Sequence, residues 1–487
     1  MPEPAPASRV VVAVFDGLRA DLVTPGLTPN ILRLAARGTW FREARSVFPS
    51  VTRVATTSIA TGGPPAVHGI MGNAFYHPAA FRDRVLDTSR AADLRRAEDA
   101  HAGRFVAAAT FGDQLALAGR SLAVVHTGTA GSAHVINPRA RANGHWTFSV
   151  HGVAHTQTPE AVTEMVAQFG PLPARELPRF ADIDYAARVM VEHVLPSRRP
   201  DVALVWFNEP DTTFHYRTIG HPDSRAVLQA ADAAFGRILD WVEAQPDAER
   251  IAVIAASDHG HVATSGVVPL ADDARAAGFA IAEKEVPEGG AIVMTGGRHG
   301  EVRLLDPAPG DLGRIAAWLM ERPEISHLFS RAQANGVDGI VPGTLAFDLV
   351  DNDHERQPDL GFVLRASDAV DADGLPGMGL MTPGDVPLGG GMHGGLHPGE
   401  LNTVLVVSAP GAVAQGAVSA RMAGLFDIGP TILDLVGAPR AASMRGTSLA
   451  REARGDAAIL RHGASAGRFS QEVQLVEQDG RRYILRG

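Results

Sequence analysis

Five short runs of almost uninterrupted apolar residues constrain this chain more than any other feature. They are RVVVAVF before Asp16, SLAVVHTG at 121–128, DVALVWFN at 201–208, RIAVIAAS at 250–257 and NTVLVVSA at 402–409. A strand without polar alternation has no face to give to water, so it belongs inside a sheet covered on both sides. Helical stretches lie between the runs: TPNILRLAARG (28–38), EAVTEMVAQFG (160–170) and SRAVLQAADAAFGRILDWVEA (224–244). This alternation predicts an α/β chain with a central, mostly parallel sheet flanked by helices. Such sheets bind ligands beyond the carboxyl ends of their strands. Asp16, Asn208 to Asp211, and Asp258–His259 all fall there.

Two segments break the rhythm. Residues 130–200 carry the polar run SAHVINPRARANGHWTFSVHG and a Pro-rich stretch, and residues 262–400 contain Gly/Pro-rich loops around 357–400. Both are expected as insertions at the active-site edge, the second as a small cap lobe. The tail EVQLVEQDGRRYILRG (472–487) alternates around Asp479–Gly480 and predicts a terminal hairpin. The expected division is a catalytic domain over 1–462, with inserts at about 130–200 and 262–400, and a hairpin extension over 463–487. At roughly 100–200 residues per domain, 487 residues accommodate one large domain or a large one with a smaller neighbour.

Composition narrows the chemistry. The chain has no cysteine, which excludes disulfides, thiolate nucleophiles, iron–sulfur clusters and cysteine-containing zinc sites. Nineteen histidines leave oxygen/nitrogen metal sites open. Lys284 is the only lysine, so Schiff-base chemistry has one candidate. With 44 basic residues against 54 acidic ones and no dense Lys/Arg track, a nucleic-acid polymer is not an expected partner. A small phosphorylated molecule is. The start MPEPAPASRVVVAVFDGL reads as a first strand rather than a signal peptide, and no run reaches about 18 apolar residues, so no membrane partner is expected. The expected location is the cytoplasm, and oligomeric state is left open.

Four clusters carry reactive side chains. SDHGH (257–261) follows a buried-type strand, where a turning backbone lets Asp258 and His259 both reach a metal. NEPDTTFHY places Asp211 and His215 four apart, on one face if a helical turn follows the strand. GGGMHGGLHPG surrounds His393 and His397 with glycines that permit close backbone approach. VFPSVTRVATTSIATG puts Thr52 at a predicted helix start, where the positive helix end favours an anionic phosphoryl group. Each has an ordinary reading taken singly: a loop cap for SDHGH, chance spacing for Asp211 and His215, a solvent-facing loop around His393, and a plain N-cap for Thr52. Taken together, three aspartates and three histidines would supply two oxygen/nitrogen zinc sites beside a hydroxyl that metal coordination could activate to attack phosphorus.

In these stretches the chain resembles the alkaline phosphatase superfamily, and within it the nucleotide pyrophosphatase/phosphodiesterase branch. The matching segments are FDGLRADL (15–22), TPNILRLAARGTWF (28–41), VFPSVTRVATTSIATG (47–62), VHGIMGN (67–73), NEPDTTFHY (208–216), SDHGH (257–261), MHGG (392–395) and FDIGPTILDLVGAPRAASMRGTSL (426–449). The resemblance implies a hydrolase of phosphodiester or phosphoanhydride bonds with two Zn2+ per chain. One zinc would be held by Asp16, Asp258 and His259, the other by Asp211, His215 and His393. Thr52 would bridge toward the metals as nucleophile and be transiently phosphorylated. It also implies an Asn, three positions after the nucleophile, that holds a nonbridging oxygen. Ala55 stands there, and Arg53, Asn73 or Arg298 are the candidate substitutes, with Arg53 and Asn73 expected at the substrate. This departure keeps phosphomonoesters and phosphonates open as alternative substrates. His261 is expected to orient a ligand, His397 to reach the substrate or serve structure, and HERQPD (354–359) to make salt bridges.

Overall fold

A computed structural model of the chain describes residues 7–288, 291–451 and 455–487. Eight strands form the central sheet in the order Ala417–Gly424, Thr39–Arg45, Leu405–Ser408, Ile251–Ala256, Arg9–Phe15, Val202–Phe207, Leu122–His126 and Trp146–Ser149. All neighbours are parallel except Leu405–Ser408, which runs antiparallel to both of its partners. The five apolar runs are all here, four of them clustered toward the middle.

Alternation along the first strand explains why those runs lack polar residues. Val11, Ala13 and Phe15 point into one core with the helices Pro29–Arg37, Phe180–Val189 and Pro222–Glu243. Val10, Val12 and Val14 point into a second core on the opposite face, with Thr52–Thr61, Phe111–Leu117 and Ile428–Leu435. Both faces are dry, so both sets of side chains are apolar.

The stretch 130–200 does more than decorate the edge. Its strand Trp146–Ser149 pairs parallel with Leu122–His126 and extends the central sheet, and its helix Phe180–Val189 covers one face. Residues 262–400 do leave the central sheet. They build a six-stranded sheet around His299–Leu304 and Leu360–Leu364, packed on the helices Leu270–Ala276 and Asp311–Met320. A four-stranded sheet joins this lobe to the body, in which Val262–Val267 pairs antiparallel with Gly391–Met392. The predicted hairpin, Phe469–Gln478 with Arg481–Arg486, turns at Asp479 and Gly480 with φ 54° and 72°, the left-handed values a tight two-residue turn requires. A third strand, Ala458–Ala466, pairs along Phe469–Gln478, so this unit begins before the expected boundary at 463. Among the described residues, no helix is long and apolar enough to cross a membrane.

Candidate metal centre and active-site cavity

The carboxyl ends of three adjacent central strands deliver the carboxylates. Asp16 directly follows Arg9–Phe15, Asp258 follows Ile251–Ala256, and Asp211 opens the helix Asp211–Tyr216 just after Val202–Phe207. That helix sets His215 one turn beyond Asp211, with Nε2 3.3 Å from Asp211 Oδ1. His393 arrives from the glycine-rich loop, its Nε2 3.5 Å from the same oxygen. Thr52 is the first residue of Thr52–Thr61, and its Oγ1 lies 3.2 Å from His259 Nε2. The His259 nitrogen is in turn 3.5 Å from Asp16 Oδ1 and 3.4 Å from Asp258 Oδ2. All six expected ligands and the hydroxyl therefore converge.

The hydrogen bonds around this cluster decide what it can hold. Each histidine spends Nδ1 on a backbone carbonyl: His215 on Gly391 (2.6 Å), His259 on Gly260 (3.1 Å), His261 on Gly17 (2.9 Å) and His393 on Ser50 (2.9 Å). That arrangement puts the proton on Nδ1 and turns the Nε2 lone pair toward the centre. Burial pushes His259, His261 and His393 below the ordinary histidine range, His259 to about 3, so these rings stay neutral. Burial acts on His215 the same way, but Asp211 outweighs it and raises the ring. Meanwhile Asp16 Oδ1, Asp211 Oδ1 and Asp258 Oδ2 are buried without a hydrogen-bond partner. Their second oxygens are better served: Trp206 Nε1 donates to Asp16 Oδ2 (3.0 Å), and the Gly17 and His259 amides donate to Asp258 Oδ1 (2.9 and 3.0 Å).

Burial, then mutual repulsion with the other carboxylates, drives Asp16 well above the ordinary carboxylate range. Asp258, dominated by burial, is pushed up to about 8. Asp211 is buried too, yet His215, His261 and His393 outweigh that burial and hold it low. Unpartnered carboxylate oxygens facing neutral imidazole lone pairs suit divalent cations. Two overlapping groups have the required closeness, ligand atoms within 4.8 Å of one another: Asp211, His215, His261 and His393, and Asp16, Asp211 and His259.

His261 sits deeper in this arrangement than the sequence suggests, with Nε2 3.1 Å from Asp211 Oδ1. Alternate positions in SDHGH, residues 259 and 261, were the available signal. Gly17 makes room for it: the glycine has φ 70°, and a β-carbon there would overlap the His261 ring. Ser50 and Trp206 were not anticipated. Ser50 accepts from His393 through its carbonyl, while its Oγ accepts from the Gly394 amide (3.1 Å) and donates to Gly395 O (3.0 Å).

The substitutes named for Ala55 sort themselves geometrically. Ala55 is fully buried on the core face of its helix, so that position does not look into the site. Arg298 lines the cavity but is committed elsewhere: both side chains of the Arg298–Glu400 pair are fully buried, and the guanidinium also donates to Leu364 O (3.1 Å), Arg365 O (3.3 Å) and Leu380 O. Asn73 Oδ1 accepts from the Arg53 amide (3.2 Å), and both residues line a cavity of about 690 Å3 that also contains Thr52, Asp211, His215 and His393. His397 is structural. It caps Pro398–Leu401 by accepting from the Gly399 amide (3.0 Å) and faces Asp368 at 3.0 Å. The salt bridges expected of HERQPD (354–359) are not found among the described residues: Arg356 donates to Gly69 O and Phe105 O instead, and the nearby ion pairs are those of Asp351 with Arg445 (3.4 Å) and Arg482 (3.1 Å).

A 71-residue segment is 42% identical to an uncharacterised pyrophosphatase/phosphodiesterase of Schizosaccharomyces pombe, covering 15% of each chain. Over 273 residues, 54% of this chain and 27% of the relative, it is 24% identical to venom phosphodiesterase of Naja atra. The chain thus matches well under half the length of these curated relatives. Two solved structures share the fold at a TM-score of 0.60, each covering 89% of this chain and 96% of the other. They are murine ectonucleotide pyrophosphatase/phosphodiesterase 5, at 15% identity, and phosphonoacetate hydrolase of Sinorhizobium meliloti with phosphonoacetate, at 20%. The sequence profile of the type I phosphodiesterase / nucleotide pyrophosphatase family matches residues 10–363, and the chain belongs to that family, within the alkaline phosphatase superfamily.

Proposed function

We propose that this protein is a two-zinc hydrolase of phosphodiester or phosphoanhydride bonds that works through a phosphothreonine at Thr52. The observation that carries the reading is the Thr52 hydroxyl at the mouth of a helix, 3.2 Å from His259 Nε2 and among carboxylate oxygens that lack any other partner. Asp16, Asp258 and His259 would hold one cation with Thr52, and Asp211, His215 and His393 the other. Bound there, the metals would lower the pKa of hydroxyl and water and neutralise charge on the phosphoryl oxygens.

The chain's own residues supply the rest. The first turn of Thr52–Thr61 presents backbone amides and the positive end of its dipole toward an incoming phosphoryl group. Asn73, fixed through its carbonyl oxygen by the Arg53 amide, keeps its side-chain NH2 as a donor for a nonbridging oxygen. The Oγ–phosphorus bond forms as the bond to the leaving group breaks, and attack by water on the phosphothreonine then regenerates the hydroxyl. Phosphomonoesters and phosphonates are the second reading, supported by Arg53, a cation directly after the nucleophile.

The test is metal content together with a panel of bis-p-nitrophenyl phosphate, p-nitrophenyl phosphate and phosphonoacetate. Two zincs per chain, turnover of at least one substrate and its loss in Thr52→Ala with metal retained are the expected results. Undiminished turnover by Thr52→Ala would remove Thr52 from its role.

A further inference from the structure

We propose that the cavity selects substrates whose leaving group carries a second anionic group, a carboxylate or phosphate, received by Arg175 and Arg179; this rests on the function proposed above. Both arginines come from the irregular stretch before Phe180–Val189 and line the same cavity as Thr52 and the metal cluster. The Arg179 amide donates to Glu209 Oε1 (3.2 Å), and Glu209 also accepts from the amide and hydroxyl of Thr213 in the helix that carries His215. His151 and His155 line the same wall.

The charge balance of that wall is uncompensated. Arg175 donates to His155 Nε2 at 3.0 Å, a neutral acceptor, and among the described residues it pairs with no carboxylate. Burial, and next the nearby Arg175, hold both His151 and His155 below their ordinary range, so they add no charge of their own but offer ring nitrogens for hydrogen bonding. Among the described residues the Arg179 guanidinium has one carboxylate partner, Asp182, at a long 3.4 Å, its backbone amide being the donor to Glu209. Asp182 also lies 3.7 Å from His151 Nε2, and burial pushes it up to about 6, so at neutral pH it is mostly ionised and offsets Arg179, leaving Arg175 as the cation of this wall without a carboxylate partner among the described residues. The other lining carboxylates are engaged: Asp211 belongs to the metal cluster, and Asp385 accepts from Tyr216 Oη at 2.6 Å.

Nearer the nucleophile, Arg53 adds to this. Arg53 is half-buried; its guanidinium feels Asp87, Asp16, Asp211 and Asp258 and makes no hydrogen bond among the described residues. An aromatic base, by contrast, needs flat apolar faces to stack on. Tyr216 is the one lining aromatic besides histidine. A compact leaving group with its own negative charge fits this wall better than a nucleobase does.

The test separates binding from turnover. Zinc-loaded Thr52→Ala protein is titrated calorimetrically with ethylphosphonate, phosphonoacetate and methylenediphosphonate, which carry no second anion, a carboxylate and a phosphonate respectively. At least one of the two dianionic probes should bind about tenfold or more tighter than ethylphosphonate, as one or two charge-assisted hydrogen bonds would give. Whichever probe gains more identifies the anion. Adding Arg175→Ala and Arg179→Ala should erase that preference while weakening ethylphosphonate far less. Because Arg179→Ala leaves Asp182 without its partner, Arg175→Gln alone, at an exposed position, should remove part of the preference without that complication. Equal weakening of all three probes, or no preference in the parent, would overturn the assignment. Absence of turnover in the unmodified enzyme would refute the proposed hydrolysis and leave these affinities unmoved, so the two failures are told apart.

Discussion

Replacing Arg298 with methionine tests how the His393 loop is held. Both charges of the Arg298–Glu400 pair are fully buried, joined by two bonds of 3.2 Å, Nε to Oε1 and Nη2 to Oε2. Glu400 also accepts from the Gly395 amide (2.8 Å) and the His397 amide (3.3 Å), which ties the cap's first long strand to the loop carrying His393. Methionine fills similar space but strands the carboxylate and removes the guanidinium donor from Leu364 O and Leu380 O, while Arg365 O keeps the Leu380 amide (2.9 Å). Breaking one side of a buried pair costs about 3–5 kcal/mol, and the two amides still bound to Glu400 argue for the lower half of that range. Urea denaturation of metal-free protein, followed by tryptophan fluorescence, reads the loss. Adding Glu400→Gln removes the stranded charge while keeping an oxygen for Gly395, so Arg298→Met/Glu400→Gln should recover roughly 2 kcal/mol of what the single change loses. A single variant within about 1 kcal/mol of the parent, or a double variant less stable than the single, would refute the reasoning.

Three further outcomes follow from the same geometry. Gly17→Ala forces a β-carbon onto the His261 ring at φ 70°, so a loss of about 2–4 kcal/mol and reduced zinc content by elemental analysis are expected. Trp206→Phe deletes the donor to buried Asp16 Oδ2; equilibrium zinc competition should show about 10–100-fold weaker binding. Asp113 is partly buried, but bonds from Arg139, Thr110 and Asn143 outweigh that burial and draw it down to about 2. Its folded value lies below its unfolded one, so its stabilisation is present above about pH 4 and fades as pH falls toward about 2. Asp113→Asn should therefore cost about 2 kcal/mol at neutral pH, a deficit that shrinks on acidification in paired denaturation curves.

What could be read from the chain alone follows from physical locality. Strands buried on both faces announce themselves as apolar runs, and the residues just past their ends are then positioned by the fold class, so Asp16, Asp211 and Asp258 were legible. So was the Asp211–His215 step, because a helix converts four-residue spacing into proximity. The edge strand AVSARMAG and its neighbour TWFREAR carry polar residues on partly exposed faces and gave no comparable signal. The cap strands are short and pair across long separations. Arg298 could be placed near the cavity, but its engagement by Glu400, 102 positions away, depends on how the lobe closes on the body. Trp206 looks like one more apolar residue in a strand until its indole nitrogen is seen on Asp16.

The rung in which Val262 faces Met392 has a further consequence. Residues 263–390 leave and rejoin the body at one place, so the polypeptide between them can vary in length, provided Gly391 keeps its carbonyl on His215 Nδ1 and the lobe keeps contacts to the body such as Arg356 to Gly69 O and Phe105 O. Asp258, His259 and His261 lie just before the point of departure and His393 just after the point of return. The join is therefore a natural seam for grafting: a lobe from another protein, spliced at this rung with Arg298 and Glu400 kept as a matched pair, would bring its own cavity wall to the same reactive centre.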